Sequence, residues 1–254
     1  MRVLVTGSEG FIGRHTVEAL RRRGDDVVGV DRKTGTDLVD AKLDIDPPDA
    51  VIHLAASCST PASLRDPLTT FRDTVLTAVN VLEHVRAWRV PVIVTSSVKA
   101  RDGLTPYGAA KRMVEAWARE HGRHNPVVIN RPGTIYGPGQ EGSSDSGWIA
   151  WMLEAKRTGA TFLVNGDGNQ QRDLLHVADY VRLQLKQLDE IDRYAGGIYD
   201  VGGGIANTVT VHQMLEWLKV PHEHGPARDG DADRYVGLNN VPGWRPEIAW
   251  WDHL

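Results

Sequence analysis

The sequence predicts an α/β fold, a doubly wound parallel sheet of the Rossmann type joined to a small, interwoven C-terminal lobe. Three observations carry that expectation. A short apolar run opens the chain and leads straight into three spaced glycines and a helical segment. Strand and helix signals then alternate as far as Asn130, the pattern of a parallel sheet covered on both faces. Beyond Asn130 the texture changes to loops rich in Gly, Ser and Pro with shorter elements between them.

Val3, Leu4 and Val5 are long enough for a buried strand and too short for anything else. Gly7, Gly10 and Gly13 follow. In a strand–turn–helix unit the first glycine permits a tight turn and the second lets the backbone approach a pyrophosphate. The third lets the helix pack on the strand, with its free N–H groups aimed at the anion. Three spaced glycines alone describe any glycine-rich turn; the strand before them and the helix after them select the nucleotide reading. Ile12, Val17 and Leu20 share one face of that helix. Arg21, Arg22 and Arg23 place cations in its last turn, and Gly24 suits a left-handed C-terminal cap. A second strand over 27–30 ends at Asp31, near the spacing of about 20 residues at which a carboxylate meets an adenosine ribose. A carboxylate there accepts hydrogen bonds from the 2′- and 3′-hydroxyls and repels a 2′-phosphate, which favours NAD over NADP. Arg32 and Lys33 narrow the preference, since either could pair a phosphate.

Residues 33–49 are polar, with room for a short helix near 40–43. A strand over 51–54 leads into Ala55 and Ala56. Residues 67–88 read as a helix carrying Phe71, Val75, Val79, Leu82 and Val85. Residues 92–94 form a strand that delivers Thr95, Ser96 and Ser97. A second long helix covers 107–121 with Met113, Val114 and Trp117, and 127–129 is a further strand. A loop is expected over 137–147, a short helix over 148–157 and a turn-rich stretch over 166–173. A helix over 177–188 and a strand over 198–201 follow, the strand placed to return to the sheet. Thr210 with Gln213 makes a capping box for a helix through Lys219. The expected division is a cofactor domain at 1–130, rejoined by 174–203, and a substrate lobe at 131–173 and 204–254.

At 254 residues the chain can bury a sizeable core. A net charge of −4 and a pI near 6.2 give no hint of a nucleic-acid or membrane partner. The single cysteine, Cys58, leaves no internal disulfide, suits a reducing compartment and reads as a small loop or core residue. No apolar run approaches a membrane span, and the immediate first strand leaves no room for a leader, so a soluble cytoplasmic protein is expected. Asp229, Asp231 and Asp233 begin like a calcium loop, but Arg234 and Asn240 stand where that loop needs glycine and glutamate. His222 and His224 could touch a metal, yet no third ligand has a sensible spacing, so no metal is expected.

Tyr107 and Lys111 lie four apart on a helix and so project from one face. A tyrosine near its reference pKa of about 10 is a poor base at neutral pH; a lysine ammonium and a nicotinamide cation beside it would favour the phenolate. The pair follows the Thr95-Ser96-Ser97 strand end, where ligands of open α/β sheets bind. Ser97 can then hydrogen-bond the same substrate oxygen as Tyr107.

Taken together, the motifs resemble those of the extended short-chain dehydrogenases/reductases, in the NAD-dependent epimerase/dehydratase family. They run through nearly the whole chain: Thr6 to Gly13; His53-Leu54-Ala55-Ala56; Asp66-Pro67; Asn80; Thr95-Ser96-Ser97; Pro106-Tyr107-Gly108-Ala109-Ala110-Lys111; Arg131-Pro132 with Tyr136-Gly137-Pro138-Gly139; Gly166-Asp167-Gly168 with Arg172-Asp173 and His176-Val177; and Gly243-Trp244-Arg245-Pro246. The resemblance implies NAD at Gly7, Gly10, Phe11, Ile12, Gly13 and Asp31, with Arg32, Leu54, Ala55, Ala56, Thr74, Thr95 and Pro132 around it. It implies Tyr107 as base, Lys111 on the nicotinamide ribose and Ser97 as hydrogen-bond partner. Asp37-Leu38 matches the family's acidic pair near the adenine, with Asp44-Ile45 competing for the role. Arg172 matches an arginine that grips the diphosphate of a nucleotide sugar, Arg228 resembles a second, and Thr134 stands near the substrate phosphates. Bidentate guanidinium pairing is what a diphosphate site needs.

The chain also departs from the pattern. Only ten positions separate Ser97 from Tyr107, where the family has a longer loop over the substrate. Thr74 and Thr134 replace asparagines, and Val98-Lys99 stand where dehydratases carry an acidic pair. Elimination therefore lacks its acid. The resemblance implies a nucleotide-sugar epimerase, similar to the UDP-sugar 4-epimerases, acting through transient hydride transfer to bound NAD. Two other readings stay open: an NAD(P)H-dependent nucleotide-sugar ketoreductase, and a dinucleotide-binding regulator without turnover. The helices at 67–88 and 107–121 match the pair through which the family forms homodimers.

Overall fold

The structure, a computed structural model, describes residues 1–236, 238–252 and 254. Five strands, β1 (Arg2–Thr6), β2 (Asp26–Val30), β3 (Ala50–His53), β4 (Val92–Thr95) and β5 (Val127–Pro132), form a parallel sheet, joined at the β5 edge by β9 (Ile198–Val201). The order is β2-β1-β3-β4-β5-β9. The returning strand expected over 198–201 therefore does rejoin the sheet, with Ile129 opposite Ile198. β3 and β4 are buried along their whole length, which is why each opens with three consecutive apolar residues, 50–52 and 92–94, rather than alternating ones.

Side-chain alternation along each strand divides the core into two layers. Leu4, Val51, Val92, Val94 and Ile129 point to one face, against α4 (Thr77–Trp88) and α5 (Pro106–His121) through Val81, Leu82, Val85, Val114 and Ala118. Val3, Val5, Ile52, Ile93 and Val128 point to the other, against α1 (Phe11–Arg23) and α7 (Val177–Asp189) through Leu20, Tyr180 and Leu183. Because β2 and β3 lie on opposite sides of β1, a crevice opens beyond the carboxyl ends of β1 and β3.

Local differences from the expected elements have identifiable causes. No helix forms at 40–43: Asn80 donates its side-chain amide to the carbonyls of Leu38 and Ala41, both at 2.8 Å, so tertiary hydrogen bonds hold that segment irregular. A 3₁₀ turn instead spans Arg32–Thr34, capped by Asp31. The helix expected over 67–88 is α3 (Pro67–Phe71), a π-helical turn at Arg72–Leu76, and α4; α2 (Thr60–Arg65), capped by Ser59, precedes it.

Beyond β5 the chain crosses to short elements: β6 (Thr134–Tyr136), α6 (Trp148–Thr158), β7 (Phe162–Asn165) and β8 (Gln171–His176). After α7, α8 (Ile191–Tyr194) and β9 come β10 (Thr208–Thr210), α9 (Val211–Leu218), β11 (His222–Gly225) and β12 (Arg234–Tyr235). The stretch expected to be turns as far as Asp173 thus ends inside β8, which pairs with β6, β10 and β12. The Thr210–Gln213 capping box starts α9 as expected. Tyr136, Ile149, Met152, Phe162, Leu174, Met214 and Leu218 make a third core here. No helix among the described residues is long and apolar enough to cross a membrane.

Candidate active site

A cleft of about 550 Å³ runs from the glycine loop, past the ends of β3 and β4, to the short strands of the C-terminal part. Gly7, Gly10, Phe11, Ile12 and Gly13 line its first third. Two of the glycines are needed by the turn itself. Gly7 has φ +71°, and a Cβ there would lie 2.8 Å from the backbone nitrogen of Ala55; at Gly13 a Cβ would lie 2.0 Å from the Gly7 carbonyl oxygen. Gly10 caps α1 without a side-chain hydrogen bond, so the first N–H groups of the helix face the cleft unblocked. The cradle fits a dinucleotide pyrophosphate.

Asp31 stands at the rim. One carboxylate oxygen accepts from the Glu9 N–H at 3.0 Å and the other from the Lys33 N–H at 2.9 Å, which fixes the group where a ribose would pass while leaving lone pairs free. Arg32 is engaged elsewhere. It donates to Asp73 at 2.9 Å and to Asp37 at 3.3 Å, and Asp73 first, then Asp37, hold the guanidinium more firmly charged than usual. A cation already flanked by two carboxylates offers little to a 2′-phosphate, so the environment of Asp31 suits NAD. Lys33 lines the cleft. Leu38 is packed in the core under α4, Asp37 sits in the Arg32 cluster, and Ala55 abuts the Gly7 turn. Thr74 is buried in the π-helical turn, its hydroxyl without a hydrogen-bond partner among the described residues. The fold therefore does not gather Asp37, Leu38 and Thr74 on the cleft wall, whereas Leu54, Ala56, Thr95, Pro132 and Thr134 are on it.

Ser97, Tyr107 and Lys111 meet at the middle of the cleft. Ser97 lies two residues past the end of β4 and accepts from the Lys99 N–H at 3.3 Å, capping a 3₁₀ turn, Val98–Ala100. Tyr107 is the second residue of α5, Thr105 being the N-cap, and Lys111 lies one turn on. Burial pushes the Tyr107 phenol above its ordinary range, and a hydrogen bond with Ser97 opposes that rise. Burial lowers Lys111 to about 8, against the opposing pull of Glu115, and its ammonium donates to the Thr95 carbonyl at 2.9 Å. The protein's own groups thus keep Tyr107 protonated and place a cation one helical turn away. Behind them, Glu115 accepts from Ser96 at 2.5 Å and from Arg131 at 2.7 and 2.5 Å. His53 is buried under the loop and lowered to about 3 by burial and then by Lys111, so it is neutral, sharing a 2.8 Å hydrogen bond with Thr6.

The short connection from Ser97 to Tyr107 is built, not frayed. A Cβ on Gly108 would lie 2.5 Å from the Lys99 carbonyl oxygen, so α5 packs directly on the turn, and Arg112 donates to the Ala100 carbonyl at 2.8 Å.

Cations gather at the far end. Arg172, on β8, is held by Asp231 and by the Ala232 carbonyl at 3.1 Å, with its guanidinium 5.1 Å from the centre of the Tyr235 ring. Arg228 and Lys99 line the same end. Lys99 donates to the Thr60 hydroxyl at 2.7 Å and lies 5.0 Å over the same ring. Burial lowers Lys99 to about 8, with Arg172 and Arg228 adding to the fall and Asp231 opposing it. In the sequence, Lys99 reads only as the absence of an acid and Asp231 only as part of an incomplete calcium loop. The available signal was position, two residues past Ser97 in a turn that Ser97 itself caps.

A switch-point crevice with a glycine-rich helix start, and with Ser, Tyr and Lys beyond the fourth strand, defines an extended short-chain dehydrogenase/reductase. The profile of the NAD dependent epimerase/dehydratase family matches residues 3–202, and the chain belongs to that family. Its cofactor is accordingly NAD. The chain is 28% identical to UDP-glucose 4-epimerase of Erwinia amylovora, over 91% of this chain and 88% of that protein. It is 26% identical to GDP-6-deoxy-D-mannose reductase of Pseudomonas aeruginosa, over 98% and 93%. Among solved structures, MoeE5 in complex with UDP-glucose and NAD superposes with a TM-score of 0.88 at 27% identity, covering 99% of this chain and 95% of that one.

Proposed function

We propose that the protein is an NAD-dependent nucleotide-sugar epimerase, similar to the UDP-sugar 4-epimerases. One observation carries the reading: Ser97, Tyr107 and Lys111 sit in a single cleft between a dinucleotide cradle and a cationic end made by Lys99, Arg172 and Arg228, with Val98-Lys99 rather than an acidic pair after Ser97. The cationic end holds the diphosphate, and Arg172, already oriented by Asp231 and Tyr235, supplies the planar fork. With the Lys111 ammonium and the charge of a bound nicotinamide favouring its phenolate, Tyr107 would take the proton from a sugar hydroxyl while Ser97 hydrogen-bonds the same oxygen, and Lys111 would hold the ribose hydroxyls. A bound NAD would supply a reversible hydride acceptor for the carbinol carbon, so no net redox change would occur. Once the keto-sugar has turned its other face to the cofactor side of the cleft, Tyr107 would return the proton to the same oxygen. In this reading 1–130 with 174–203 forms the cofactor domain, and 131–173 with 204–254 the substrate lobe.

Denaturing the purified protein and identifying the released small molecules by mass spectrometry tests the retained cofactor. Co-purified NAD, followed by interconversion of one of a panel of UDP-, GDP- and dTDP-sugars without NADH consumption, is the expected outcome. Steady NADH or NADPH consumption with a keto-sugar would replace the epimerase with a ketoreductase, the reading that similarity to the Pseudomonas aeruginosa protein favours. Arg172→Ala is expected to raise KM for the nucleotide sugar at least about tenfold, since a hydrogen bond to a charged group contributes about 1.5–3 kcal/mol. NAD affinity, read by fluorescence titration, should not move.

The reading includes a cytoplasmic homodimer. Leu68, Phe71 and Leu76, around the π-helical turn, and Met113 and Trp117 on α5 are exposed large apolar side chains on the two helices expected to pair. Sedimentation equilibrium at micromolar concentration should give a dimer, and Trp117→Glu should shift it to monomer. A monomeric wild-type chain would remove the proposal.

A further inference from the structure

His222 and His224 alternate on β11 and so share one strand face, and the fold brings His212 to them from the first turn of α9. The three side chains each offer a nitrogen within 4.8 Å of the others. Ring centroids are 5.7 Å apart for His212 and His222, 5.1 Å for His212 and His224, and 5.8 Å for His222 and His224. The third ligand that the spacing did not supply is thus supplied by the tertiary structure. We propose that His212, His222 and His224 form a binding site for one divalent transition-metal ion, with zinc as the best-fitting class, outside the catalytic cleft.

The ligand atoms are set by hydrogen bonding. His224 Nδ1 lies 2.8 Å from the Gly166 carbonyl oxygen and His222 Nδ1 lies 3.2 Å from the Val220 carbonyl oxygen. A carbonyl only accepts, so each Nδ1 carries the proton and each Nε2 presents a lone pair. An imidazole whose other nitrogen donates to a carbonyl is the arrangement that orients metal-bound histidines. His212 is anchored to the same turn. Its backbone N–H donates to the Gly168 carbonyl at 3.0 Å. Its ring lies where a Cβ on Gly168, at φ +77°, would come within 2.5 Å, so only glycine leaves room for it.

Zinc–nitrogen bonds of about 2.0–2.1 Å in tetrahedral geometry put ligand nitrogens about 3.3 Å apart, a small side-chain movement from the observed cluster. His222 and His224 are exposed and His212 half-buried, so the fourth position opens to solvent. Imidazole nitrogens without a carboxylate in the set select zinc, copper or nickel over calcium or magnesium. A bound ion would tie β11 to α9 beside Gly166, whose turn is flanked by the cleft-lining Asn165 and Gln170. The inference is independent of the proposed reaction.

The test uses tag-free, metal-depleted full-length protein titrated with zinc chloride by calorimetry, with cobalt chloride for the visible d–d spectrum. One zinc per chain, a tetrahedral-type cobalt spectrum and a melting temperature that rises with zinc concentration are expected. His222→Gln and His224→Gln should each weaken binding at least tenfold while melting like the wild type without metal. His124→Gln, a histidine elsewhere on the surface, should bind as the wild type does. Substoichiometric binding, or affinity unchanged in both cluster variants, would overturn the site.

Discussion

Replacing Tyr107 with Phe is expected to lower kcat by about 10²–10⁴-fold, the contribution of a positioned proton-transfer group. NAD affinity should stay within a factor of about two. The variant keeps the ring, and with it the packing at the start of α5, and removes only the hydroxyl, which shares the cleft with Ser97. Burial holds that phenol protonated in the protein alone, so its removal leaves no buried charge behind. The cost therefore falls on chemistry rather than on stability. Lys111→Met gives the contrasting pattern: it removes the ammonium, frees the Thr95 carbonyl and should weaken NAD binding as well as turnover. Full turnover in Tyr107→Phe would sink the mechanism, whatever the substrate turns out to be.

The largest expected stability effect lies behind the catalytic group. Glu115 is buried with a relative exposure of 3% and accepts from both Ser96 and the Arg131 guanidinium. Arg131→Met would strand that carboxylate, and breaking a buried pair at one partner costs about 3–5 kcal/mol. Glu115→Gln/Arg131→Met, in which the stranded charge is gone, should recover much of the loss. Urea denaturation of wild type, both single variants and the double variant measures the coupling. Additive single effects would show that the pair contributes no coupling energy. Because Glu115 also favours the charged form of Lys111, the double variant should lower Lys111 further below its value of about 8.

Much of this protein was determined by the sequence itself, because the information lay in contiguous, periodic stretches. The sheet core is made of short apolar runs such as 50–52 and 92–94, which fit strands covered on both faces. The glycine loop, the Tyr107–Lys111 spacing and the Thr210–Gln213 box each lie within one or two turns of chain. They are local, and backbone geometry enforces them: Gly13 tolerates no Cβ wherever the rest of the chain goes. The short strands β6, β7, β11 and β12 were illegible, being two to four residues long with too few alternations to show a period.

Tertiary structure decided what depended on distant partners. Asn80 overrode a helix at 40–43 with two hydrogen bonds to backbone carbonyls. Asp73, from the π-helical turn, occupied the Arg32 cation that the sequence left available to a phosphate. Lys99 became part of a cationic cleft end only when β8 and β12 brought Arg172 and Tyr235 beneath it. His212 joined His222 and His224 because α9 folds back on β11. In each case a side chain's chemistry was fixed by its type, whereas its partner, and so its electrostatic role, was set by contacts between residues far apart in the chain.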